Sequence, residues 1–107
     1  MVAHSNDRRR YPRLLSPKGT VVAWHSANKR LVSGVENFGL GGLYIRTPDP
    51  PAVGTFIKLL IDAPTGKVRA RAVLQRCSPK EGMGVKFVAM QQEHRARFAG
   101  WIKGLSS

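Results

Sequence analysis

The chain has one cysteine, Cys77, in 107 residues, so no internal disulfide can form and no zinc site can be built on thiolates. That fits a reducing, cytoplasmic setting. Carboxylates are also scarce. The six, Asp7, Glu36, Asp49, Asp62, Glu81 and Glu93, are scattered, and no two have a spacing that suggests a general acid/base pair or a metal site. His4, His25 and His94 are equally dispersed, and a lone thiol with no histidine near it in sequence is more often structural than nucleophilic. We therefore expect neither an enzyme nor a metalloprotein. Aromatic residues make up 7% of the chain, too few for the several stacking rings on the sheet of an RRM. No apolar run approaches the ~20 residues of a membrane-spanning helix. The polar start, residues 1–7, lacks the apolar centre of a signal peptide. We see no internal repeat and no low-complexity segment.

What is present is a foldable composition with a strong charge bias. Apolar residues are 42% and charged residues 22%, near the globular average, and the length suits one domain with a single core. Lys and Arg number 18 against six acids, a net charge of +12, which favours anionic partners without choosing among them.

Short β-like segments separated by turn signals follow one another along the chain. Residues 20–25 are rich in β-branched and aromatic side chains and predict a first strand; 31–36 predict its antiparallel partner after a turn at 28–30. The segment Asn37-Phe38-Gly39-Leu40-Gly41-Gly42 holds three glycines in four residues, which implies unusual backbone angles or close approaches, and leads into a third strand at 43–47. Pro48, Pro50 and Pro51 place a loop or sheet edge next. Residues 55–62 predict a fourth strand with both faces covered. In 67–77, Val68, Ala70, Ala72 and Leu74 alternate with a mostly basic face that would also carry Cys77. Residues 83–90 predict a sixth strand, with Val85, Phe87 and Ala89 on one face. The period then changes: Phe98, Trp101, Ile102 and Leu105 form one stripe of an amphipathic helix over 91–105, with Glu93 near its start and Lys103 near its end, as the helix dipole favours. Six strands and a helix argue for a small antiparallel β-barrel with a C-terminal helix packed against it.

The most distinctive stretch is Arg8-Arg9-Arg10-Tyr11-Pro12-Arg13, four arginines in six residues. A guanidinium can grip a phosphate or the O6/N7 edge of guanine with two parallel hydrogen bonds, and can stack on a base. Four of them suit an anionic, guanine-like ligand. The same run could equally be a solvated basic arm. The match of Gly39-Leu40-Gly41-Gly42 to the GXXG loop of KH domains is spurious, because that loop joins helices and this one joins strands.

Taken together, the two segments resemble the PilZ domain family. Arg9-Arg10-Tyr11-Pro12-Arg13 fits its RxxxR motif. The 37–42 segment looks like its [D/N]xSxxG motif, and Gly82, Gly84, Val85 and Phe87 followed by a helix match its ending. The resemblance implies a tail at 1–7 and a PilZ domain over 8–105, made of a ligand-clamping arm (8–18), a six-stranded antiparallel barrel (19–90) and a helix (91–105). It also implies binding of the bacterial second messenger cyclic di-GMP, with no other cofactor, in processes such as motility and biofilm formation. Arg9 and Arg13 would hold guanine edges and phosphates, Asn37 would hydrogen-bond a guanine, and Gly42 would permit the turn. Arg8 precedes the motif and Arg10 lies within it; in the family an arginine before the motif tends to accompany two stacked ligand molecules, so a stacked dimer is expected. Gly39 stands where the motif has serine, which removes a hydroxyl donor. The expected function is that of a receptor whose arm is ordered by the ligand and which signals to a partner protein, since no output domain accompanies it. One alternative is a degenerate PilZ module that has lost nucleotide binding and mediates protein contacts in motility or pilus assembly. Another, less favoured, is a basic barrel binding single-stranded nucleic acid, with Trp24, Tyr44 or Trp101 as stacking platforms.

Overall fold

The computed structural model describes residues 14–106. The expected tail and the arginines Arg8, Arg9, Arg10 and Arg13 lie outside the described residues. Alternation of apolar and polar side chains produces the strands where expected, as β2 (Val21–His25), β3 (Arg30–Gly39), β4 (Gly42–Arg46), β5 (Phe56–Ala63), β6 (Gly66–Ser78) and β7 (Gly82–Ala89), followed by α1 (Gln92–Ser106). A seventh strand, β1 (Leu14–Leu15), was not foreseen. All pairings are antiparallel, in the order β3-β2-β5-β6-β7-β4, and β4 pairs back onto β3 to close a six-stranded barrel. Closure pairs the two outermost strands of the main sheet with each other.

β1 occupies one of the stretches that closure leaves over. β2 pairs with β3 only as far as Gly34, and β1 continues that side of the ladder, with Leu15 opposite Asn37 and Leu14 opposite Phe38. Ser16 adds a backbone bond from its N–H to the Glu36 carbonyl at 3.0 Å and a hydroxyl bond to the Val35 carbonyl.

The inward faces fill the barrel with Val22, Trp24, Ile45, Ile57, Ile61 and Leu74, each at most 2% exposed. At one end Phe38 and Phe87 meet Phe98 and Trp101 of α1 in edge-to-face contacts, the Phe38 and Trp101 rings 4.8 Å apart. α1 also covers the start of β6, where β7 no longer pairs. There the Arg69 N–H donates to His94 Nδ1 (3.1 Å) and Arg97 donates to the Lys67 carbonyl (3.0 Å), so two side chains of the helix replace a missing strand.

Four details differ from the sequence reading. The outer face of β5 is open, with Phe56 60% exposed. Ala89 points outward because one extra residue in β7 shifts the register between its partners Arg71 and Ala72. A second shift between Leu74 and Arg76 turns Cys77 away from the basic face, so that it packs against the core beside Met83. Leu105 ends the helical stripe 40% exposed, past the edge of the barrel.

Candidate functional site

Strict alternation in β3 would give Val35 and Asn37 the same face, and Val35 is buried. A bulge between them breaks the alternation: Val35 pairs with inward Ile45, and Asn37 pairs with Tyr44 on the outer surface. The shift in β6 does the same for Arg76. By the parity of Val68, Ala70, Ala72 and Leu74 it would enter the core, yet it lies opposite Gly84 on the outside. Since Tyr44 also lies opposite Gly84, register alone places Asn37, Tyr44, Gly84 and Arg76 in one row across β3, β4, β7 and β6.

This row crosses a recess of about 400 Å³ lined by Glu36, Asn37, Tyr44, Arg46, Arg76 and Glu81, within the range of small-molecule sites. Beneath Tyr44 and Arg76 of its lining, β7 carries buried glycines. A Cβ on Gly82 would stand 2.8 Å from the Tyr44 ring, and one on Gly84 3.1 Å from the Arg76 side chain. The two glycines thus let a ring and a guanidinium lie flat against the sheet, both able to stack on a base. Arg46 stands 3.6 Å from Glu36 in a solvent-exposed ion pair, a pairing weak enough for an anion to compete with.

Of the residues expected from the sequence, Asn37 lines the recess, and Gly39 and Gly42 face each other at the base of the β3–β4 hairpin. Gly42 is required for a reason other than the turn. A Cβ there would lie 2.0 Å from the Val85 carbonyl oxygen, so only glycine lets β4 approach β7 this closely. The arginines of the arm lie outside the described residues, but the described chain begins at Leu14, opposite Phe38 and one residue from Asn37. Glu36, Arg46, Arg76 and Glu81 were missed by sequence reasoning, which named Tyr44 only as a stacking ring of a nucleic-acid barrel. The signal for Arg76 was available: a charged residue at a core parity in an otherwise regular strand marks a bulge. Of the three rings considered for base stacking, Trp24 (2% exposed) and Trp101 (8%) belong to the core, leaving Tyr44 on the outside.

Solved structures with the same architecture include the PilZ domain with c-di-GMP of YcgR from Escherichia coli (16% identity, TM-score 0.71, covering 92% of this chain and 94% of that one). The Bacillus subtilis inhibitor of motility, MotI/DgrA, is similar at 20% identity and TM-score 0.73, and the K. pneumonia MrkH–c-di-GMP complex at 14% and 0.71. The chain spans about half the length of those two proteins, 51% of each. At these identities the likeness is one of fold. No curated protein sequence matches the chain. No helix among the described residues is long and apolar enough to cross a membrane. The PilZ domain family model matches residues 7–104, from just before the arginine run into the last turn of α1. The chain belongs to the PilZ domain family.

Proposed function

We propose that the protein is a cyclic di-GMP receptor and not an enzyme, and that the nucleotide lies in the recess on the outer face of β4 and β7. The observation that carries this reading is the pair of bulges that brings Asn37 and Arg76 out of the core face and onto one row with Tyr44. Each bulge also turns an apolar neighbour inward, Phe38 in β3 and Cys77 in β6, so what supports a ligand is the polar pair left together on the outside. Asn37 offers an amide to a guanine edge, Arg46 and Arg76 offer forks to phosphate or the guanine Hoogsteen edge, and Tyr44 offers a face for stacking. On this reading the arm's Arg8, Arg9, Arg10 and Arg13 grip the ligand as well, and support for it is that β1, at the start of the described residues, pairs Leu15 with Asn37. Binding orders the arm, and the reordered surface is what a partner protein reads. YcgR and MrkH, described in complex with c-di-GMP, support the ligand; MotI, described as an inhibitor of motility, supports the signalling role.

Calorimetric titration tests the reading, with linear pGpG and GTP as controls. Selective binding of the cyclic ligand at micromolar or lower concentration, lost in both Arg13→Ala and Arg76→Ala, is expected, and a stoichiometry of two ligands per chain would support stacking on Arg8. No binding up to about a millimolar, where the free energy is only ~4 kcal/mol, would contradict it and leave the chain as a PilZ module without nucleotide.

A further inference from the structure

Across the barrel from the recess, the outer faces of β2 and β5 and the start of β6 form, with the first turns of α1, a groove of about 1240 Å³. It shares no residue with the recess. One side is a row of basic side chains set by strand register: Arg30 lies opposite His25, His25 opposite Lys58, and Lys58 opposite Arg71. Opposed residues in antiparallel strands project to the same face, so these groups stand about 5 Å apart. The neighbouring row, Val32, Ala23, Leu60 and Arg69, is aliphatic but for its last member, and Val32 is 69% exposed. On the far side, Arg97 is held by Glu93 at 2.7 Å, and Lys67 faces Asp62. Among the described residues no carboxylate pairs with Arg30, Lys58, Arg69 or Arg71.

Like charges placed directly opposite each other across strands repel, and none of the four side chains fills the core in return. An anionic occupant removes that repulsion. The chain does not supply one: residues 1–13 carry four arginines and a single aspartate, and a second copy brings +12. Single-stranded nucleic acid would need rings to stack on. The groove's indole, Trp24, is 2% exposed, with its Nε1–H donated to Ser33. A bilayer is flat, whereas this surface is concave between α1 and the basic row. An aliphatic strip beside a charged row fits a segment with one apolar and one acidic face. Carboxylates three or four residues apart on a helix are about 5–6 Å apart, the spacing of the row; those on one face of an extended strand are about 6.6 Å apart.

We propose that this groove is the docking site for an acidic amphipathic helix of a partner protein. Its apolar stripe rests on Ala23, Val32 and Leu60, and its carboxylates meet Arg30, Lys58, Arg69 and Arg71. This extends the receptor reading to its output, yet the docking itself needs no nucleotide. The test is fluorescence anisotropy with a labelled synthetic peptide of about 20 residues, long enough to hold a helix, with glutamates on one face and leucines on the other. The controls are a scrambled peptide of equal composition, oligo-dT of similar length, and vesicles containing phosphatidylglycerol, all without cyclic di-GMP. The two-faced peptide is expected to bind at least about tenfold tighter than the scrambled one. That affinity should fall at least tenfold in Lys58→Glu/Arg71→Glu, drop in Leu60→Ser, and persist in Lys86→Glu, an exposed charge outside the groove. Equal binding of both peptides, tighter binding of oligo-dT or vesicles, or no binding at about a millimolar would overturn the proposal. Because no nucleotide is present, failure here and failure of the recess are separate results.

Discussion

At the scale of single residues, steric room and charge decide the site. The Val85 carbonyl leaves no space for a Cβ on Gly42, so Gly42→Ala should cost about 2 kcal/mol and lower the melting temperature by roughly 10 °C, read by thermal denaturation. Glu36 holds Arg46 at 3.6 Å with both side chains largely in solvent. Glu36→Gln frees the guanidinium and removes a negative charge from the recess, so affinity for cyclic di-GMP should rise about two- to fivefold at low salt and less at high salt. Gly39→Ser, which restores the motif hydroxyl, should strengthen binding roughly three- to tenfold by the same titration. The glycines and Asn37 were legible because their residue types are unusual in strands. Arg46 was not, because an arginine on the outer face of a strand has no local mark, and Tyr44 was named only as a ring for a nucleic-acid barrel and not as part of this site. What distinguishes them is their neighbours on β7 and β6, some 40 and 30 residues away, and only register reveals those.

At the scale of elements, alternation identified six strands, and a change of period identified the helix. Alternation fails where an extra residue enters a strand. Each of the three register shifts in β3, β6 and β7 reverses the faces beyond it, which is why Cys77 and Ala89 were assigned to the wrong side. β1 was illegible for another reason: two residues, Leu14 and Leu15, are too short to show any period. Yet β1 lies beside the recess, held to β3 by its own pairing and by Ser16. Ser16→Pro removes both the N–H bond to Glu36 and the hydroxyl bond to Val35. Because the six-stranded barrel lacks neither residue nor pairing in this variant, the melting temperature should fall by only a few degrees, while affinity for cyclic di-GMP drops about tenfold or more. A large loss of stability with affinity retained would show that β1 belongs to the core and not to the site.

At the scale of the whole molecule, the closed sheet presents two different faces. In the order β3-β2-β5-β6-β7-β4, the recess lies on β7 and β4 and the basic groove on β2 and β5, on opposite walls. The two proposed sites would therefore not compete for the same surface. The family and fold were readable from the ordered motifs because they span nearly the entire chain, whereas the groove required strand order, which no local pattern contains. Ligand binding to the folded state alone should also stabilise the whole domain, by about 2.7 kcal/mol at a hundredfold excess over Kd, a rise in melting temperature of roughly 10 °C. The most direct test of the account is amide chemical-shift mapping by NMR during addition of cyclic di-GMP. The account predicts that the large shifts fall on Asn37, Tyr44, Arg46, Arg76, Gly82 and Gly84, with little change at Arg30, Lys58 or Arg71. Shifts centred on the β2–β5 wall, or none while the protein remains folded, would contradict it.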